Sequence, residues 1–361
     1  MEISRETFKR DFAAAAAVCP TRSPSEVLRY VGFGADGDGA ALTATNGEVY
    51  LTIGEGEPRQ LLPADRVQRI LSVIDDDTIT ITTEAIGTAS DEFKLQTPPV
   101  SDFPELRACE VSRWYAVDAE EMRQALQTVV PACSREAVRL ALGGVCLEFS
   151  SAESLAVVAT DSRRLIACEV ACECSGDPDD EVRPVIPADA VKTLCKLLTR
   201  GESCRFGFGL SGGVVFEIGD ARLIVSPLAG RFPDWRKVVA AATRKPSFSL
   251  PAHELLSAVK SAAIVTTEES RGVDVVISRD GIKAAASGAD VGAANVSRQL
   301  QLLGECQFRC DFQYLIEGLK PVSDCEIDLT HNGPEGAVHF AHDGGWQFLL
   351  MPMITDSDLS Q

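Results

Sequence analysis

Histidine is scarce in this chain. It occurs four times in 361 residues, at His253, His331, His339 and His342, and no two stand in HExxH or another metal-ligand spacing. GxSxG, GxxxxGK[ST] and GxGxxG are all absent, which removes the common nucleophile, phosphate and dinucleotide turns. No apolar run approaches the ~20 residues of a membrane helix. Ala13–Val18 is small and apolar, but it continues the amphipathic pattern of Glu6, Lys9, Arg10 and Asp11. It reads as a helix rather than a signal peptide. Positive charge is short as well: 34 Lys and Arg face 53 Asp and Glu, a formal net charge of −19. Such a chain repels nucleic acid on average, so any DNA role needs basic residues gathered on one surface.

Cysteine is plentiful, with 12 residues, but there is no CxxC pair. Cys168, Cys172 and Cys174 alternate with Ala167, Glu169, Ala171 and Glu173. That is the parity of a strand with its thiols turned to the core, and no histidine lies nearby to complete a metal site. Reduced thiols fit a cytoplasmic protein, and no metal or cofactor is expected. The acidic runs Asp75–Asp77 and Asp179–Glu181 read as solvated loop tips.

The length implies two or three domains. Three segments resemble one another: "LLPADRVQRILSVI" from Leu61, "VIPADAVKTLCKLL" from Val185 and "SLPAHELLSAVKSA" from Ser249. Each has strand-type residues, then Pro-Ala and a helical pattern, with Pro expected in the first helical turn. Val67, Ile70, Leu71 and Ile74 form the inward line of the first, and Val191, Leu194, Cys195 and Leu198 that of the second. Three more helices are readable. One spans about Arg5–Val18 with Phe8 and Phe12 on one face, one carries Met122, Leu126 and Val129, and one ends at Pro321. Between them lie alternating stretches such as Thr78–Thr82, and "GFGADGDG" reads as a hairpin turn. The result is an α+β domain repeated three times. It has two helices per repeat packed on antiparallel sheets, and boundaries at 1–111, 112–243 and 244–361.

A basic stripe is also present. Lys192, Lys196 and Arg200 recur at i, i+4 and i+8, with no acidic residue from Ala190 to Arg200. Arg66 and Arg69, Arg5 and Lys9, and Lys260 and Lys320 take similar places. On one helix such residues are a solvated face. Repeated over several helices, they can line a common surface that binds phosphates without reading sequence.

Several segments together resemble the bacterial DNA polymerase III beta subunit, the sliding clamp. "VVATDSRRLIACEV" from Val157 is similar to that family's ATDGHRL segment and "GRFPDWRKVV" from Gly230 to its GRFPDY segment. "AAIVTTEESRGVDV" from Ala262 and "LLMPMITDSDLSQ" from Leu349 match two further stretches, and "LQTPPVSDFPEL" from Leu95 the end of the first clamp domain. The matches fall in order over nearly the whole chain.

The resemblance implies a homodimeric ring, closed on dimerisation, that encircles duplex DNA without sequence preference and has no catalysis of its own. Its implied partners are the polymerase III catalytic subunit, a clamp loader and other proteins carrying a clamp-binding peptide. The peptide cleft would use Arg139, Leu142, Thr160, Ser162, Arg163, Leu165, Pro233, Val238, Tyr314, Val338, Leu349, Leu350, Met351, Pro352 and Met353. Leu165, Val238, Leu350 and Met351 would form its apolar floor. Arg22, Arg66, Arg69, Lys192, Lys196 and Arg200 would face DNA. Phe93 and Leu95 would meet Ile264 and Val265 of a second copy.

The chain departs from the family in carrying Ser162 for the usual Gly and Arg163 for His, and in a tail of eight residues, 354–361. These raise a second reading, a clamp paralogue that serves as an interaction module without a replicative role. A third is a hydrolase using Asp161 and Ser162, for which nothing supplies the base.

Overall fold

The computed structural model describes residues 1–36, 39–105, 108–136, 140–151, 153–174, 182–209, 212–243, 245, 247–267, 270–288, 291–333 and 336–353. Strands run directly into helices along the chain. Glu2–Ser4 leads into α1 (Arg5–Ala16), Gln60–Pro63 into α2 (Ala64–Val73), Val111–Asp118 into α3 (Ala119–Val129) and Val185–Pro187 into α4 (Ala188–Leu197). After α5 (Trp235–Ala242), Phe248–Pro251 leads into α6 (Ala252–Ala262) and Cys306–Asp311 into α7 (Phe312–Leu319). The recurrent prolines Pro63, Pro187 and Pro251 are the last strand residues and cap the helices, one position before the expected helical turn. There the fixed φ suits extended backbone, and the missing N–H removes no helical bond. The α5 segment was not expected as a helix.

The inward lines are where periodicity puts them. Phe8, Phe12, Val67, Leu71, Ile74, Met122, Leu126, Val129, Val191, Leu194 and Leu198 are buried. Ile70 and Cys195 are half-buried. Burying each large side chain is worth about 1.5–3 kcal/mol, which outweighs helix propensity.

The chain divides into two compact units. The first comprises Met1–Gln124, Ala171–Asp179 and Ile186–Leu228. One of its antiparallel sheets runs in the order Glu2–Ser4, Thr78–Ile81, Ala85–Gly87, Glu92–Lys94, which leaves Glu92–Lys94 at an edge. Ile79 and Ile81 face the core and Thr78 faces water, as the alternation requires. The other sheet runs from Val111–Asp118 through Ser203–Gly209, Val214–Ile218, Ala221–Val225, Val49–Ile53, Gly39–Thr45 and Tyr30–Asp36 to Gln60–Pro63. The expected hairpin joins Tyr30–Asp36 to Gly39–Thr45. Arg5 is not on a solvated stripe: its Nη1 donates to the Ile74 carbonyl at 2.7 Å, tying α1 to the end of α2.

The second unit comprises Ala125–Val170, Asp180–Val185 and Ala229–Gln361. One antiparallel sheet orders Gly292–Gln299, Gly281–Gly288, Gly272–Ser278 and Cys306–Asp311, with Gly292–Gln299 at an edge. Another orders Phe248–Pro251, Glu326–His331, Val338–His342 and Trp346–Leu350. Trp346–Leu350 also pairs with the start of the strand Arg164–Cys174, Leu165 opposite Leu349. In that strand Arg164–Ala167 are all buried, so both faces are covered there. Farther on, Val170 and Cys172 are buried while Ala171 and Glu173 are exposed. Burial pushes the Cys168 thiol up to about 12, which disfavours the thiolate a metal would need. Among the described residues no cluster of three His, Cys, Asp or Glu is arranged to hold a metal ion, and no helix is long and apolar enough to cross a membrane.

Candidate functional site

The polar corner Thr160–Arg164 joins the strand Ser154–Thr160 to Arg164–Cys174 within the second unit. Its backbone turns through Ser162, whose φ of 73° makes it the one non-glycine residue in the left-handed region among those described. A left-handed L-residue costs about 1–2 kcal/mol, and side chains offset it. The Thr160 Oγ1 accepts from the Ser162 N–H at 3.1 Å and donates to the Arg164 carbonyl at 2.7 Å. The Asp161 Oδ1 accepts from the Arg163 and Arg164 N–H groups, both at 2.9 Å. Ser162 thus takes up the conformation a glycine would adopt, and the turn survives the substitution. These bonds commit Thr160 and Asp161 to building the corner.

Arg164, which sequence reasoning passed over, is the hub. Its side chain is 6% exposed and its Nε donates to Asp161 Oδ2 at 3.1 Å. Its Nη1 donates to Glu317 Oε2 at 2.6 Å and its Nη2 to the Pro131 carbonyl. The guanidinium lies 4.2 Å from the centroid of the Tyr314 ring, a cation–π contact. The only sequence signal is an Asp three residues before an Arg at a strand start.

Within the corner, Arg163 is exposed, and its carbonyl accepts from the Met351 N–H at 2.8 Å. The α5 helix presents Val238, 46% exposed. It is anchored by Glu148, which accepts from Trp235 Nε1 at 2.9 Å and from Arg236 Nε at 3.0 Å. Met351 and Met353 are 45% and 40% exposed. Pro233 is exposed, and Leu142, Tyr314 and Pro352 are half-buried.

The expected floor needs correction. Leu165, Val338, Leu349 and Leu350 are buried in the paired strands; they shape the surface from beneath and offer a ligand almost no area. The same holds for Thr160, which is 6% exposed. Among the expected cleft residues, the exposed large apolar side chains are Val238, Met351 and Met353. Arg139 and the tail 354–361 lie outside the described residues. His339, opposite Leu349 in the sheet, is held below its usual pKa by burial.

The basic residues divide. Arg22, Arg66, Arg69, Lys192 and Lys196 are exposed, and Lys192 pairs with Asp189 one helical turn earlier at 2.7 Å. Arg200 is a correction: its side chain is 4% exposed, bound to Asp11 and, at 2.6 Å, to Asp220. A guanidinium already neutralised by two carboxylates is not available to phosphate.

Arg66 and Arg69 line one hollow of about 590 Å³ with Phe93 and Leu95, together with Ile70 and Val73. Phe93 and Leu95 are half-buried at the Glu92–Lys94 edge. Val73, 67% exposed, was missed; it falls off the Val67–Leu71–Ile74 line, which is the available signal. In the second unit Ile264 is 77% exposed and Val265 half-buried. Val291, 55% exposed, precedes the Gly292–Gln299 edge.

The family described as "DNA polymerase III beta subunit, central domain" matches residues 116–234. The beta sliding clamp of Synechocystis sp. is 24% identical over 322 residues, covering 82% of each chain. That of Vibrio cholerae is 23% identical over 363 residues, 97% of this chain and 85% of its own. Among solved structures, the DNA polymerase III beta subunit of Thermotoga maritima superposes with a TM-score of 0.86 at 18% identity. The sliding clamp of Bartonella birtlesii bound to griselimycin gives 0.86 at 20%. Each covers 98% of this chain and 99% of that structure. The ordered sequence matches, the strand-to-helix repeats and these likenesses agree: residues 116–234 match the central domain of the DNA polymerase III beta subunit, and the chain as a whole is similar to the beta sliding clamps in sequence and fold.

Proposed function

We propose that this protein is a cytoplasmic DNA sliding clamp and processivity factor, with three clamp domains at 1–111, 112–243 and 244–361. Two copies form a ring around duplex DNA. The ring is placed by a clamp loader and tethers the polymerase III catalytic subunit and other proteins through a peptide cleft. The observation that carries this reading is the pair of open sheet edges, each beside exposed apolar side chains. Val73, Phe93 and Leu95 flank Glu92–Lys94, and Ile264 and Val291 flank Gly292–Gln299. Unpaired edges beside apolar groups are what a second copy covers, and two different edges joined head to tail make a closed ring.

Exposed Lys192, Lys196, Arg66, Arg69 and Arg22 supply phosphate contacts that tolerate sliding. Val238, Met351 and Met353 supply the adaptable apolar contact area for short peptides. The paralogue reading rested on Ser162, Arg163 and the tail 354–361; the intact corner answers the first of these, and the likeness to beta sliding clamps favours the clamp reading over it.

Light scattering at micromolar concentration tests the ring. The unaltered protein is expected as a dimer, and Ile264→Ala with Val265→Ala as a mixture shifted to monomer. An unaltered protein that is monomeric there would end the ring reading.

A further inference from the structure

We propose that the pocket beside the corner is a carboxylate site that takes an acidic side chain of the same peptide whose apolar end lies on Val238 and Met351. This rests on the peptide-cleft reading above and adds a specificity to it. The pocket has a volume of about 250 Å³, and four arginines line it: Arg135, Arg163, Arg164 and Arg271. Three carboxylates line it too, Glu136, Asp161 and Glu317. Their pairing decides its character. Asp161 and Glu317 both engage Arg164, which closes that group off. Among the described lining residues, Arg135, Arg163 and Arg271 then face one further carboxylate, Glu136, an excess of positive charge in a chain whose net charge is −19.

The arginines are also disposed to receive a ligand. Arg271 Nη1 donates to Gln313 Oε1 at 3.1 Å, which fixes one arm of its fork and leaves other donors. Arg135 and Arg163 are exposed, and neither makes an ion pair among the described residues. A guanidinium fork matches a carboxylate with two parallel hydrogen bonds, so a carboxylate is the chemistry these groups select. The occupant is a peptide because Arg163 and Tyr314 belong to both the pocket and the expected cleft. An extended peptide bound at one is led into the other.

Two labelled synthetic peptides test this against the full chain. They share two apolar C-terminal residues and differ only in two upstream Asp residues, replaced by Asn in the second. The acidic peptide is expected to bind about fivefold tighter at low salt, the scale of a well-placed surface ion pair. That preference is expected to shrink steadily as salt rises, a measurement needing no variant. In Arg135→Gln with Arg271→Gln the preference should fall to near one. Equal affinities of the two peptides for the unaltered protein would overturn the carboxylate site and leave the cleft standing. Failure of both peptides to bind would overturn the cleft and the pocket together. A preference that emerges only when residues 354–361, with Asp356 and Asp358, are removed would assign the pocket to the chain's own tail and overturn the proposal.

Discussion

Arg164 and Arg200 do similar work in different units. Each belongs to a basic stretch of sequence, each turns inward, and each bridges two carboxylates: Asp161 and Glu317 for Arg164, Asp11 and Asp220 for Arg200. They differ in completeness. Arg164 also reaches the Pro131 carbonyl and lies over the Tyr314 ring, while the Nε of Arg200 is buried without a partner. A fully satisfied guanidinium fixes several elements at once, whereas a partly satisfied one bears more desolvation for less return. Arg164 therefore ties the corner to the Pro131 carbonyl, Glu317 and Tyr314, and Arg200 fastens the end of the α4 segment to α1.

Arg164→Met should break this comparison most sharply. It strands Asp161, 13% exposed, beside a surface built for a cation, and a loss of about 3–5 kcal/mol is expected from urea unfolding. Peptide binding should fall with it, because the corner loses its hub. Arg200→Met should cost less, about 1–3 kcal/mol, because Asp11 keeps its bond from Arg10 Nε at 2.8 Å and Asp220, 58% exposed, can be hydrated in place of the lost partner. An equal or larger loss at Arg200 would reverse the ranking.

The smallest effect on stability, within about 0.5 kcal/mol, is expected for Lys192→Glu with Lys196→Glu, since both side chains face water. The same pair should weaken retention on circular DNA and flatten its salt dependence. Unchanged retention would make this face merely solvated.

Much of this fold was legible because burial follows period. The lines through Phe8 and Phe12, through Val67, Leu71 and Ile74, and through Val191, Leu194 and Leu198 needed only 3.6-residue spacing and the Pro-Ala starts. The α5 helix was not legible: it is eight residues long and follows Pro233 closely, and it is held by Glu148, distant in sequence. Charge was the least legible property. Arg163 and Arg164 are adjacent and chemically identical, yet one is exposed and the other is 6% exposed. Arg163 lies in the turn and Arg164 opens a strand buried on both faces, and only tertiary partners such as Glu317 offset the cost of turning a guanidinium inward. Apolar cleft residues were read by type, and type does not separate Leu350, in a paired strand, from Met351 just beyond it.

The edge strands Glu92–Lys94 and Gly292–Gln299 set a condition on growth. Because the two edges differ, copies that join through them add in one direction, and only the rotation from each copy to the next decides whether the series ends. A rotation that returns to its start gives a finite particle with no free edge. A slightly different one leaves an edge exposed at each end, and every added copy restores it. Glu92 and Lys94 flank Phe93 with opposite charges, which discourages casual pairing with unrelated strands. If copies close into the proposed ring through these edges, a substitution that bends either sheet without touching Phe93 or Ile264 would leave adhesion intact and abolish termination, turning a closed particle into a fibre.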